Sequence, residues 1–222
     1  MMKKNKIKLY MDCDNTLVNS TRSYTNVYNW MFAHNKKRDA VWEDVRRWDL
    51  KDECPRIKRK GVKETPEEEK INDVKLVNDI FGNERFFNTL EFYPEMFHLM
   101  YEYAVIFSDI YEVYIVSKGD EANLKLKREW IHTNMPFIKK DNILLLDNSI
   151  GMSKSSIDMS DGIIVDDHQD CISSSNAKWK ILFSYKDILT EWNKEVYYKE
   201  LRAHDAESLR MNIQHIAEDY KK

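Results

Sequence analysis

The stretch Ile7-Lys8-Leu9-Tyr10-Met11-Asp12-Cys13-Asp14-Asn15-Thr16 decides how the rest of the chain is read. A short, mainly apolar run predicts a buried strand. It delivers Asp-x-Asp-x-Thr to its C-terminal end, where open α/β sheets bind ligands. Residues two apart on an extended segment share a face. Asp12 and Asp14 are therefore expected to converge on one metal ion or one phosphoryl group. Like charges this close are unfavourable unless they share a cation or a proton. The pair points to chemistry more than to stability.

Asp-x-Asp admits other readings. A calcium loop of the EF-hand kind needs Gly at its sixth position and Glu at its twelfth. Counted from Asp12, those positions hold Leu17 and Ser23, and the reading fails. A metal-bound diphosphate site of a sugar-nucleotide transferase and a plain Asp/Asn-rich surface turn stay open on this segment alone.

A second acidic pair favours phosphoryl chemistry. Asp161-Gly162-Ile163-Ile164-Val165-Asp166-Asp167 is again a turn, a strand and carboxylates at its end. Two such pairs meeting at one sheet edge make an oxygen-rich site suited to Mg2+. His168 follows and reads as an exposed loop imidazole. Glu112-Val113-Tyr114-Ile115-Val116 leads into Ser117-Lys118-Gly119, where a hydroxyl and free backbone N–H groups would hold phosphate. A phosphate dianion facing carboxylates needs a cation. Lys154, in Gly151-Met152-Ser153-Lys154-Ser155, is assigned that role. Lys125 and Lys127 are rivals, read here as the solvated face of a helix at 121–132.

The order Asp-x-Asp-x-Thr, strand-end Ser, loop Lys and strand-end Asp-Asp resembles the four motifs of the haloacid dehalogenase superfamily of phosphotransferases. Phe86-Phe87-Asn88-Thr89-Leu90-Glu91-Phe92-Tyr93-Pro94 resembles the Phe-Phe-x-x-Leu-x-Pro-x-Pro stretch of the 5'(3')-deoxyribonucleotidase family. Lys127-Arg128-Glu129-Trp130-Ile131 resembles its Lys-x-x-Trp-Val segment, and Trp179-Lys180-Ile181-Leu182-Phe183 the segment after its last motif. The likeness spans about 6–192. Two positions depart from the family: Asn15-Thr16 replaces Gly-Val, and Ser117-Lys118-Gly119 replaces Thr-Ser-Pro.

The resemblance implies an α/β fold, a doubly wound parallel sheet of Rossmann type with a small helical cap inserted after the first strand. The core would be 1–18 and 93–222, and the cap 19–92. It implies a Mg2+-dependent phosphomonoesterase for nucleoside monophosphates, pyrimidine deoxyribonucleotides foremost. Asp12 would be the nucleophile and Asp14 the general acid and base. Mg2+ would be held by Asp12, the Asp14 carbonyl and Asp166, with Asp167 orienting metal-bound water. Ser117 and Lys154 would hold the phosphoryl oxygens. Phe86 and Phe87 would flank a nucleobase, in a cap segment also rich in Tyr24, Tyr28, Trp30, Phe32, Trp42 and Trp48. The alternatives are a phosphatase for a polynucleotide 3' end or a sugar phosphate, and a non-catalytic nucleotide-binding module.

Composition sets bounds. The chain has 222 residues, 42% of them hydrophobic, enough for a core plus a cap. Mean hydropathy is −0.67 and no long apolar run occurs, so no transmembrane span is expected. Met1-Met2-Lys3-Lys4-Asn5-Lys6 lacks a following signal-peptide core. Cys13, Cys54 and Cys171 share no metal-ligand spacing, which suits a cytoplasmic protein. Cys13 reads as a small apolar residue turned into the sheet. A net charge of −3 gives no global attraction for nucleic acid, and the basic run at 56–63 reads as a solvated loop. Strands are expected at 7–11, 113–116, 142–146, 162–165 and 180–183, with helices through most of 19–92, at 94–108 and at 121–133. The tail 186–220 reads as helical, capped by Asp205, and either packs on the core or mediates a homodimer.

Overall fold

The computed structural model describes residues 6–36, 38–47, 50–58, 61, 63–188, 190, 191, 193 and 201–220. Trp48 and Arg59, Lys60 and Val62 of the basic run lie outside the described residues, as do Met1 to Asn5.

The first strand, β1 (Ile7–Met11), is the organising element. Its alternate side chains go to opposite faces. Leu9 and Met11 enter the larger core, while Tyr10 joins Val116, Leu146, Met159 and Ile164 on the other face. Five further strands join it: β2 (Tyr111–Gly119), β3 (Ile143–Asp147), β4 (Gly162–Asp166), β5 (Trp179–Phe183) and β6 (Leu201–Ala203). The order is β3-β2-β1-β4-β5-β6. Every pairing is parallel. The chain builds outward from β1 to β3, then returns to the other side of β1 at β4. The switch point therefore lies between β1 and β4, where such sheets bind ligands. Gly162 opens β4 because a Cβ there would lie 2.7 Å from the Lys8 carbonyl oxygen.

Between β1 and β2 the chain forms α1 (Ser20–Met31), α2 (Pro66–Phe81), α3 (Glu84–Asn88) and α4 (Met96–Tyr101), the last continuing as a π turn to Ile106. Asn19 caps α1, and Thr65 and Glu68 form a capping box on α2 with Pro66 at its first position. Among the described residues of 32–65 most are irregular where helix was expected. They are fixed by ion pairs instead: Arg56 bonds Glu64 and Asp73, and Lys58 bonds Glu69. The basic run is thus partly consumed by the acidic start of α2. Departure and return run side by side: Asn19 N–H donates to Glu91 O and Tyr93 N–H to Leu17 O, both 2.9 Å.

After β2, α5 (Glu121–Asn134) packs on β2 and β3, α6 (Gln169–Ser174) on β4 and β5, and α7 (Ala206–Tyr220) on β5 and β6. The tail departs from the helical expectation. Leu201–Ala203 forms an edge strand beside β5, and Lys186 takes a left-handed φ of 51°. Asp205 accepts from Ser208 N–H at the start of α7. Leu209, Ile213 and Ile216 of α7 are buried and Arg210 pairs with Glu102, so this helix packs on the core. Among the described residues no helix is long and apolar enough to cross a membrane.

Candidate active site

The register of β1 with β2 and β4 brings the sequence motifs to one place. Met11 lies opposite Ile115 and Val165, and Asp12 N–H donates to Val165 O at 2.9 Å. Asp12 just after β1, Asp166 at the end of β4 and Ser117 near the end of β2 therefore meet at one edge of the sheet. Asp12, Asp166 and Asp167 are all buried, and each offers an oxygen within 4.8 Å of the others. The loop after Asp12 is pinned by Asn15, which takes φ 54°, a conformation Asn tolerates. Its side-chain oxygen accepts from Thr21 N–H, Thr21 Oγ1 and Ser20 Oγ, tying the turn to α1.

Two lysines sit among these carboxylates. Lys154, in a short 3-10 turn, is buried and donates to Asp12 Oδ1 and Asp166 Oδ2. Lys127 was expected on a solvated helix face. It is 1% exposed and donates to Asp14 Oδ2, Ser117 Oγ and Lys118 O. The signal was present in α5: Asn123, Lys127, Trp130 and Ile131 lie on one helical face, and all four are buried. Lys125, off that face, is exposed.

Burial pushes the Asp12 carboxyl up to about 7; the Lys154 ammonium opposes this, and Asp166 and Asp14 reinforce it. Burial also works against both lysines, yet the carboxylates outweigh it and hold them above the usual lysine range. A consequence is testable in metal-free protein. The folded-state pKa of Asp12 is raised above its unfolded value near 3.9. Its favourable contribution is complete below that value and is lost as pH rises through about 7. The stability of wild type relative to Asp12→Asn should therefore fall between about pH 4 and pH 7 in chelator-treated denaturant melts. A difference that rises over that window would contradict the burial argument.

Three buried carboxylates, with one ammonium between two of them, are a donor set that fits a hard divalent cation. Asp167 stands beside Asp12 and Asp166 in this cluster. His168 is half-buried, not an exposed loop residue. Its N–H donates to Asp166 Oδ1 at 2.9 Å and its ring caps α6. Cys13 is buried and its thiol is pushed well above its ordinary range, as suits packing rather than nucleophilic attack.

Two cavities converge on Asp14, Lys118 and Asn148. One, ≈ 430 Å³, is lined by Asp12, Ser117, Lys154, Asp166 and Asp167. The other, ≈ 170 Å³, lies under α2, between Leu50, Val77, Asn78 and Phe81 on one side and Gly119 and Asn123 on the other. Phe86 and Phe87, expected to flank a base, line neither. Phe86 is fully buried against Phe81 and Phe87 beneath α1, with its carbonyl taken by Ser23 Oγ. Tyr24 and Tyr28 are likewise core, and Trp30 is exposed under Arg85. Phe86→Ala should cost about 3–5 kcal/mol of stability, seen as a lower Tm. It should leave the ratio of KM values for a nucleotide and for p-nitrophenyl phosphate unchanged. A selective rise in nucleotide KM at normal Tm would restore the base-slot role.

No family model and no curated protein matches this chain. Solved structures do. A haloacid dehalogenase-like hydrolase from Streptococcus pneumoniae has a TM-score of 0.62 at 12% identity, over 94% of this chain and 99% of that one. A predicted phosphatase from Clostridium acetobutylicum has a TM-score of 0.62 at 11% identity, over 96% and 100%. A magnesium-bound protein of the HAD-hydrolase class from Bacillus subtilis has a TM-score of 0.56 at 12% identity, over 95% and 99%. The chain has the fold of the haloacid dehalogenase-like hydrolases, with a buried aspartate cluster at the switch point of its sheet.

Proposed function

We propose that this protein is a Mg2+-dependent phosphomonoesterase acting on nucleoside monophosphates through a phosphorylated Asp12. The observation that carries the reading is the buried Asp12 at the end of the central strand, with Asp166 and Asp167 beside it and Lys154 bridging. Residues 19–92 would be the cap over a core of 1–18 and 93–222. Asp12, the Asp14 carbonyl and Asp166 would hold the metal, with Asp167 supporting. A bound Mg2+ would neutralise charge on the phosphoryl oxygens.

In the first half-reaction an Asp12 oxygen bonds to phosphorus, the ester P–O bond breaks, and Asp14 gives its proton to the leaving oxygen. In the second, water bonds to phosphorus, the Asp12–phosphorus link breaks, and Asp14 takes the water's proton. Ser117 and Lys154 hold the phosphoryl oxygens as charge shifts.

The nucleotide class is supported by the smaller cavity, which Phe81 lines together with Asn78 and Asn148. Such a mixture suits stacking and edge bonding of a base. Phe81→Ala should therefore raise KM for a nucleotide about tenfold more than for p-nitrophenyl phosphate. Equal effects would remove the base from that cavity. A second reading, a small phosphoester with an anionic leaving group, is favoured by Lys118, which lines both cavities. The test is phosphate release from ribo- and deoxyribonucleoside 5'- and 3'-monophosphates, phosphoglycolate, sugar phosphates and a 3'-phosphorylated oligonucleotide, each with Mg2+ or EDTA. Mg2+-dependent release strongest with nucleotides supports the first reading. Release confined to phosphoglycolate or sugar phosphates replaces it with the second.

A further inference from the structure

We infer that Asn15 is a substrate-binding residue whose amide nitrogen donates to an oxygen of the leaving group; the inference rests on the phosphatase reading above. Asn15 follows Asp14 directly and takes a left-handed φ of 54°. Its main-chain N–H donates to Ser20 Oγ at 3.0 Å. Its side-chain oxygen accepts from Thr21 Oγ1 at 2.9 Å, Thr21 N–H at 3.1 Å and Ser20 Oγ at 3.2 Å. A backbone N–H can only donate, so the amide's oxygen, not its nitrogen, must face Thr21. Ser20 and Thr21 are both buried in the first turn of α1, which holds the amide plane in place. The nitrogen, with its pair of N–H donors, has no acceptor among the described residues.

The cavities assign the side of the ester on which this donor acts. Asp14 lines both the larger cavity, shared with Asp12, Ser117 and Lys154, and the smaller one under α2. Asn15, Ser20 and Thr21 line the smaller cavity and not the larger. The step from Asp14 to Asn15 thus runs from the ester oxygen toward the leaving group. Asp14 and Asp120 also line the smaller cavity, and their carboxylates repel an oxygen-rich group. Asn123 cannot offset them, because its amide nitrogen already donates to Phe81 O at 2.9 Å. A donor held in place before binding needs little further ordering when an acceptor arrives. Against a leaving group without an oxygen it stays unpaired, which discriminates against that group. The leaving group that fits carries a hydroxyl, ether, carbonyl or carboxylate oxygen close to the ester.

The test compares wild type, Asn15→Gly and Asn15→Asp on a nucleoside monophosphate and on phenyl phosphate, all with Mg2+. The phenyl leaving group has no oxygen beyond the ester. Both variants accept a left-handed φ. Asn15→Gly should lower kcat/KM for the nucleotide about tenfold more than for phenyl phosphate, chiefly through KM. Asn15→Asp keeps an oxygen for Ser20 and Thr21 but puts an acceptor where the donor was, and its selective loss should be larger. It also keeps the test in force if the glycine variant does not fold. Calorimetric binding of the product nucleoside should weaken in the same order. If phosphate release is confined to phosphoglycolate, its carboxylate supplies the oxygen, and the same selective loss against phenyl phosphate is expected. Equal losses on both esters would mean that Asn15 acts only through the turn; they overturn the inference and leave the phosphatase reading standing. A wild-type protein that hydrolyses no phosphate ester overturns both.

Discussion

Asp12→Asn is expected to lower phosphate release by about three orders of magnitude or more while leaving the fold intact. An amide cannot form the phosphorylated carboxylate that splits hydrolysis into two displacements. The stability half of the expectation follows from burial. Asp12 sits where burial already favours its neutral form. A neutral amide of the same shape should hold or raise Tm in metal-free protein. Circular-dichroism melts and phosphate assays on one preparation check both halves. Near-normal turnover with an intact fold would remove Asp12 as the nucleophile.

Lys154→Met is expected to damage both stability and activity. The lysine is 3% exposed and touches Asp12 and Asp166, which are also buried. Removing one partner of a buried charge cluster costs about 3–5 kcal/mol, because the remaining charges lose their compensation. For a chain of this size that is a fall in Tm of about 10 °C. Mg2+ should recover more of the lost Tm in this variant than it adds to wild type, since a dication supplies the missing positive charge. Turnover should stay low even with Mg2+ saturating, because the phosphoryl oxygens lose a donor. An unchanged Tm in EDTA would mean that the carboxylates are not compensated by Lys154.

How legible the molecule was in its sequence depended on the kind of signal. The strands Ile7–Met11 and Gly162–Asp166 stand out because each is a short apolar run closed by carboxylates. Their meeting at the switch point followed from the alternation of strands and helices. The strand Leu201–Ala203 left no such mark: three residues at a sheet edge carry too little alternation to separate them from the helix that follows. The burial of Lys127 leaves little mark in the sequence because polar residues on a helix are normally solvated; only its spacing from Asn123 and Ile131 marks the buried face. Phe86 and Phe87 drew attention through the family likeness, yet the cavity is lined by Val77 and Phe81, one turn apart on α2. A pattern of residue types locates a buried ring in a motif; which rings face a cavity is decided by how the helices pack.

The proposed mechanism turns on a covalent phosphoryl intermediate at Asp12. Its most direct test is acid quenching of the protein during turnover with Mg2+ and a nucleoside monophosphate. Borohydride reduction and peptide mass spectrometry then follow. Reduction to homoserine is expected at position 12, absent without substrate and absent in Asp12→Asn. Steady phosphate release with an unmodified Asp12, or with the mark on Asp14 or Asp166, would contradict it.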